Sequence, residues 1–424
     1  MLKNKEDRAV CRISGEPLIE LFTLGELHIS DFIDPDIEPR LEPVELKMML
    51  APKSGLVQLA HTADFDAMYR EYWYRSGTNA TMRQELKEIA ESATKMIHPT
   101  SDDVWLDIGC NDGTLLANVD PSIKRVGFDP ALNTFLEEES KKHADEVIVD
   151  YFTADKYKET GLQKAKIITS IAMFYDLEEP HAFVSDIYDS LDDEGLWIIQ
   201  MSYLPLMLKQ LAFDNICHEH LEYYSLESLI YLLDQHDLRV VDCQLNDING
   251  GSFRIYIRKK DATASLFATA PYRDVAQMRI DGILALEEKM NLKDPRTYTD
   301  FFSQIQELKK QTMDFIEQAK LDGKKIMGYG ASTKGNTLLQ WYGLNDNHID
   351  GIAERSSIKY GKKTAGSNIP IFSEEEARNK KPDYMLVLPW HFINEFTTRE
   401  KEYLEKGGAF IVPCPKFEII TFQK

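Results

Sequence analysis

Between about residues 100 and 260 the chain alternates short apolar runs with longer amphipathic stretches. The runs are VWLDIG (104–109), RVGFD (125–129), EVIVD (146–150), KIITSIA (166–172) and LWIIQM (196–201). Runs of this length suit buried parallel strands, and the first is stopped by Gly. A helix is predicted just before them, near 81–97, and another over 226–236. Strands alternating with helices imply an α/β fold with a doubly wound, mostly parallel sheet. Two later runs, RVVDCQL (239–245) and SFRIYIR (252–258), flank NDINGG, a strong turn signal, and read as an antiparallel pair closing that sheet.

The flanks differ in texture. Residues 1–80 are short, irregular and rich in Pro and Gly, and suggest a small N-terminal domain ahead of a central domain over 81–270. A helical connection is predicted over 271–322. Alternation then returns over 323–424, with strands KKIMGYG (324–330), IDGIAER (349–355), DYMLVLPW (383–390) and AFIVP (409–413), and a turn and helix in STKGNTLLQWYG. This last region reads as a second, smaller Rossmann-like α/β domain. Such patterns give folds and not activities.

Composition narrows the function classes. The 424 residues are 43% hydrophobic and 28% charged, as in a soluble globular protein. No apolar run approaches the roughly 20 residues of a membrane helix, and the opening MLKNKEDRAVCRISGE lacks the apolar core of a signal peptide. A cytoplasmic location without membrane partners is the expectation, as a monomer or homodimer. Lys and Arg number 49 against 70 Asp and Glu, for a net charge of −21. A surface so negative repels a polyphosphate, which argues against nucleic acid but leaves room for one nucleotide diphosphate in a locally basic pocket. The five cysteines show no paired close spacing and no disulfide framework.

Two segments carry candidate chemistry. The first, Asp107-Ile-Gly109-Cys-Asn111-Asp-Gly113, stands at the carboxyl end of the first central strand, where such sheets bind ligands. Its G-x-x-x-G spacing argues against a dinucleotide fingerprint. Asp129 ends the second strand, where a carboxylate can accept both hydroxyls of an adenosine ribose, and Asp150 ends the third, near where an adenine would lie. Three acids at successive strand ends suit a sulfonium cation better than a phosphate; the competing reading is a glycine-rich turn with solvated acids. This pattern resembles the class I S-adenosylmethionine (SAM) dependent methyltransferases over about 100–260.

The second segment is Cys217-His218-Glu219-His220. Its histidines are two apart, so a loop or short strand would aim both to one side, which suits acid–base chemistry more than metal binding. The competing reading is a surface loop with ordinary histidines. The segment resembles the HEH motif of the SAM-dependent sugar C-methyltransferases, which act on nucleotide-linked keto-deoxysugars. The resemblance covers nearly the whole chain. Tyr74-Arg75-Ser76-Gly77 is similar to the loop that closes over SAM, NGGSFRIYI (249–257) to the sheet-closing pair, and GYGASTKGNTLLQ (328–340), IAERSSIKYGKKTAGSNIPI (352–371) and VLPWHF (387–392) to the C-terminal module.

The resemblance implies SAM as cofactor, held by Tyr74, Ser76, Asp107, Gly109, Asn111, Gly113, Asp129 and Asp150, and a nucleotide diphosphate sugar as partner. His220 would be the general base that removes the proton beside the sugar ketone, at C3 of a 4-keto sugar. Glu219 would orient it or help hold the enolate, and His218 would assist. Activity should then rise with pH through a value near that of an ordinary histidine, unless coupling to Glu219 or His218 shifts it. In the C-terminal module, Gly330, Ser332, Lys334 and Asn336 offer a phosphate cradle at a helix start, and Arg355 a further contact.

The sequence also departs from this family. The family's small zinc domain carries two C-x-x-C pairs; here they read Cys11-Arg-Ile-Ser14 and Ala51-Pro-Lys-Ser54, so three of the four thiolates are missing and no zinc is expected. Cys217 replaces a frequent Tyr before HEH, and Asp176 stands where several members have His, so both are candidate substrate contacts. Two alternatives remain: a methyltransferase acting on oxygen or nitrogen of a small metabolite, which leaves 323–424 idle, and an inactive SAM- or nucleotide-sugar-binding scaffold.

Overall fold

The computed structural model describes residues 8–64, 68–69, 74–131, 134–264, 266 and 270–422. The first strands are β1 (Ile19–Leu27), β2 (Phe32–Ile33), β3 (Val44–Leu50) and β4 (Val57–Leu59). In β3 the sequence VELKMML alternates, so Leu46, Met48 and Leu50 turn inward while Glu45 and Lys47 lie nearer solvent. Residues 1–80 are thus less irregular than their Pro and Gly content suggests: β1, β3 and β4 form an antiparallel sheet.

The central region follows as α1 (Ala80–Ile97), β5 (Val104–Ile108), β6 (Lys124–Phe128), β7 (Glu146–Ile148), β8 (Ala165–Ile171), β9 (Leu191–Ser202), β10 (Glu222–Tyr223), α2 (Leu226–Leu233), β11 (Leu238–Asn246) and β12 (Ser252–Lys259). Asn79 caps α1 by accepting from the amides of Thr81 and Met82. Seven strands pair in the order β7-β6-β5-β8-β9-β12-β11. The first five are parallel; β12 and β11 run antiparallel and close the edge, as the turn at NDINGG requires. This is the class I methyltransferase arrangement. The strand order reverses between β5 and β8, which places a binding crevice beyond their carboxyl ends.

β10 leaves this sheet. It pairs with β4, Glu222 opposite Gln58 and Tyr223 opposite Val57, and makes the N-terminal sheet four-stranded. The segment directly after the HEH turn is therefore held by the N-terminal region. Beneath it Arg12, fully buried, lies 3.6 Å from Glu222 and 3.3 Å from Glu178, and donates to the carbonyl of Leu59 at 2.8 Å.

Helices α3 (Ala270–Met290) and α4 (Pro295–Leu321) lead into β13 (Ile326–Tyr329), α5 (Thr333–Tyr342), β14 (Ile352–Glu354), β15 (Lys363–Thr364), β16 (Ile371–Ser373), β17 (Tyr384–Val387), β18 (Ala409–Val412) and β19 (Glu418–Ile420). Six of these strands form the sheet β16-β14-β13-β17-β18-β19, parallel except at β19. β15 instead pairs with β2, and Phe22 of β1 stacks on Phe302 of α4 with ring centroids 4.7 Å apart. One apolar core thereby runs from the N-terminal sheet through α4 into the C-terminal sheet.

Two turns, 11–15 and 51–55, face each other where the thiolates are missing. Cys11 Sγ lies 3.5 Å from Ser54 Oγ. Glu16 bridges the turns: its carboxylate accepts from Ser14 Oγ at 2.8 Å, from the Ser54 amide at 2.9 Å and from the Lys53 amide at 2.8 Å. Among the described residues no group of three or more His, Cys, Asp or Glu is arranged to hold a metal. Burial pushes the Glu16 carboxyl upward, but the Ser54 amide, the Ser14 hydroxyl and the Lys53 amide outweigh it and hold the group below its ordinary range. A carboxyl lowered in this way contributes stability above its ordinary pKa and loses it as the pH falls through the lowered value. Glu16→Ala should therefore cost about 1 kcal/mol in denaturant unfolding at pH 7, a solvent-screened figure. The difference should shrink below about pH 4. An undiminished difference near pH 3 would contradict the bridge.

Candidate active site

The loops after β5, β6, β7 and β8 open into one cavity of about 330 Å³. Its wall includes Asp107, Gly109 and Asn111 from the first loop, then Asp129 and Asp150, then Tyr175 and Asp176. Tyr74 and Ser76 border it from the segment before α1. His220 enters from the HEH turn, and Ser332, Thr333, Lys334 and His391 from the C-terminal sheet. Residues expected to bind the cofactor, remove the proton and hold the substrate thus meet around one space.

The first loop is shaped by positive φ. Gly109 has φ of 74°, and a Cβ there would stand 3.2 Å from the Met173 side chain. Asn111, with φ of 50°, donates its amide N–H to Asp129 at 2.9 Å. Its side chain accepts from the Ser76 amide at 3.0 Å and donates to the Tyr74 carbonyl at 3.0 Å. The Gly77 amide donates to Asp112 at 2.8 Å. The strap at 74–77, which resembles the loop that closes over SAM, is therefore fastened to the glycine-rich loop after β5.

The electrostatics fit a cation. Burial lifts the Asp107 carboxyl to about 7, against the Thr169 hydroxyl that donates to it at 2.6 Å; the Asp129 charge adds to the rise. Burial also raises Asp129, although the amides of Ala131 and Asn111 oppose it. Among the described residues neither carboxylate has an ion-pair partner within 4.0 Å. Two buried carboxylates beside a glycine that admits close backbone approach suit a sulfonium and a ribose diol. Asp150, at the far end, pairs with Lys156 at 2.7 Å.

The HEH turn divides its residues. His220 Nδ1 lies 2.9 Å from the carbonyl of Asn215. A carbonyl only accepts, so Nδ1 carries the hydrogen and Nε2 keeps its lone pair. The ring leans on Tyr175 with centroids 4.2 Å apart. Burial, then the Lys334 ammonium, lowers its pKa to about 3, with the Asn215 carbonyl opposing. That corrects the expectation of an ordinary histidine value. His218 points elsewhere: its Nε2–H donates to the Val44 carbonyl at 3.0 Å and ties the turn to the N-terminal sheet. Glu219 is buried off the cavity wall, its carboxyl raised by burial, and its backbone carbonyl accepts from Tyr69 at 3.0 Å. Cys217 is likewise buried off the wall, with Sγ 3.7 Å from the Asn215 carbonyl.

Several other sequence candidates also lie off the wall. Gly113, at φ of 75°, backs onto Ser140, where a Cβ would come within 3.0 Å. Gly330 packs on Pro389. Asn336 donates to the Asp31 carbonyl at 3.2 Å, and exposed Arg355 lies 3.5 Å from Glu395. Asn215, Asp112, Tyr175 and His391 carry parts of the site without having been singled out. For His391 a signal existed, since VLPWHF is one of the motifs behind the resemblance.

Asp129→Ala removes the acceptor proposed for the ribose and should weaken SAM binding by about 1.5–3 kcal/mol in calorimetry. Unchanged affinity would reject that assignment.

Comparison with known proteins gives the chain's family. A family model described as a methyltransferase domain matches residues 74–242, and one described as a C-methyltransferase C-terminal domain matches residues 247–415. C-methyltransferase NovU of Streptomyces niveus is 31% identical over 383 residues, 89% of this chain and 88% of that protein. Solved structures of the N-methyltransferase NodS from Bradyrhizobium japonicum WM9 and of the magnesium protoporphyrin IX methyltransferase ChlM from Synechocystis PCC 6803 are more distant. Their identities are 11% and 12%; each match covers 43% of this chain, with 99% and 88% of those chains, at a TM-score of 0.33. With 89% of the chain aligned to NovU and the two family models matching residues 74–242 and 247–415, the chain belongs to the SAM-dependent C-methyltransferase family.

Proposed function

We propose that the substrate is a nucleotide-linked keto-deoxysugar, methylated at the carbon beside its ketone, with His220 as the general base. One observation carries this reading: His220, its Nδ1 occupied by the Asn215 carbonyl, borders the same cavity as Asp107, Gly109 and Asp129. SAM would be held by those residues with Asn111 and Asp150, beneath the 74–77 strap, and when bound supplies an electrophilic methyl group. The adjacent ketone acidifies the C–H bond, so a neutral imidazole can accept the proton. His220 Nε2 takes it while Nδ1–H stays on Asn215, and Tyr175 keeps the ring in place. Holding two reactants in one enclosed space supplies much of the rate. Ser332 and Thr333, at the start of α5, offer the nucleotide end of the substrate a helix N-terminus.

His220→Asn keeps size and some hydrogen bonding but cannot accept the proton. It should bind SAM and nucleotide sugar almost normally and lose turnover by about 100-fold or more. Where the wild type washes solvent deuterium into the carbon beside the ketone, this variant should not. His218→Asn, which loosens only the turn, should be milder. Near-wild-type methylation by His220→Asn would remove the base from this residue, and an O-linked methyl in product NMR would favour the alternative substrate class.

The pH profile is a second check. His220 charges only as the pH falls through about 3. It is neutral throughout the range from about pH 5 to 8, so activity should show no acid limb near pH 6.5 that depends on this residue. Such a limb, absent in His220→Asn when residual activity is followed, would refute the buried neutral base.

A further inference from the structure

Lys334 stands where a phosphate contact was expected, at the first turn of α5, yet its ammonium is directed to the base. Nζ donates to the side-chain oxygen of Asn215 at 2.5 Å and to the carbonyl of Asn249 at 3.3 Å. Asn215 is the residue whose backbone carbonyl accepts from His220. One asparagine thus tethers the imidazole by its main chain and the ammonium by its side chain. Both border the cavity.

The charge is poorly compensated. Among the described residues no carboxylate lies within 4.0 Å of Nζ; Asp214 is near enough to favour the cation, but its Oδ2 accepts from Trp390 Nε1 at 3.0 Å. Asn215 Oδ1 and the Asn249 carbonyl are neutral acceptors, and an ammonium carries three donors. Burying a cation in this way is costly unless a ligand supplies negative charge. Burial lowers the Lys334 pKa, with Asp214 opposing.

Resting on the proposed C-methylation, we infer that Lys334 is a catalytic residue that receives the substrate's ketone oxygen and stabilises the enolate. The C–H bond breaks as His220 Nε2 takes the proton; its electron pair forms C=C, and the carbonyl pair moves onto oxygen beside Lys334. The C=C pair then bonds the methyl carbon as that carbon leaves its sulfur, the carbonyl re-forms, and a neutral thioether remains. The geometry also accounts for a base next to a cation: imidazolium beside ammonium is unfavourable, and the enolate charge relieves both.

Lys334→Met is the test, read with SAM and a 4-keto sugar nucleotide. The expected result is a fall in kcat of about 100-fold or more and loss of solvent deuterium exchange, with sugar-nucleotide Kd changed less than about threefold and SAM affinity intact. If Lys334 instead holds phosphate, Kd rises while kcat and exchange at saturation persist, and the inference is overturned. If the wild type neither exchanges nor methylates such substrates at carbon, the proposed function fails first and this role falls with it. Should Lys334→Met not fold, judged by SAM binding, Lys334→Gln is read by the same two quantities, and retained exchange at saturation overturns the role.

Discussion

The hydrogen bond from His220 Nδ1–H to the carbonyl of Asn215 is the constraint on which the site depends. It fixes the tautomer, so the lone pair lies on Nε2. Asn215 is itself held from several sides: its Nδ2 donates to the Ala212 carbonyl at 3.1 Å, and its oxygens receive Ser202 from β9 and Tyr223 from β10. The imidazole is therefore placed by the central sheet and the N-terminal sheet together. Lys334 adds the C-terminal sheet to the same residue.

This convergence explains why the flanking regions belong to the site. β10 is only two residues long, and its pairing with β4 holds the exit of the HEH turn as His218 holds its middle to Val44. Arg12 anchors the same strand from below, where replacing one member of a buried pair leaves an uncompensated charge. The N-terminal sheet keeps its shape with Glu16 bridging turns that carry one thiol instead of four.

Much of the central fold was legible because its signals are local. Short apolar runs between helices placed the parallel strands, NDINGG placed the antiparallel closure, and Gly109 marked a backbone turn that needs positive φ. The acids at successive strand ends followed from those placements. The N-terminal sheet was obscured because β1 carries register shifts and its neighbours are short, interrupted by Pro and Gly. The division of labour within HEH was legible only through the family resemblance, which pointed to His220, and not from the spacing of the two histidines. Whether His218 or His220 faces the cavity depends on Val44 and Asn215, one distant in sequence and one inside an unremarkable FDNIC stretch. Lys334 was read as a phosphate ligand because a glycine-rich helix start is a local signal, whereas its contact with Asn215 joins residues 119 positions apart.

Nitrogen-15 NMR of histidine-labelled protein, with His220 assigned by substitution, tests the central claim most directly. A buried Nδ1–H tautomer predicts one protonated nitrogen bonded to a carbonyl and a bare Nε2, unchanged between about pH 5 and 8. A hydrogen on Nε2, or titration of both nitrogens near pH 6.5, would contradict the account of how this chain prepares its base.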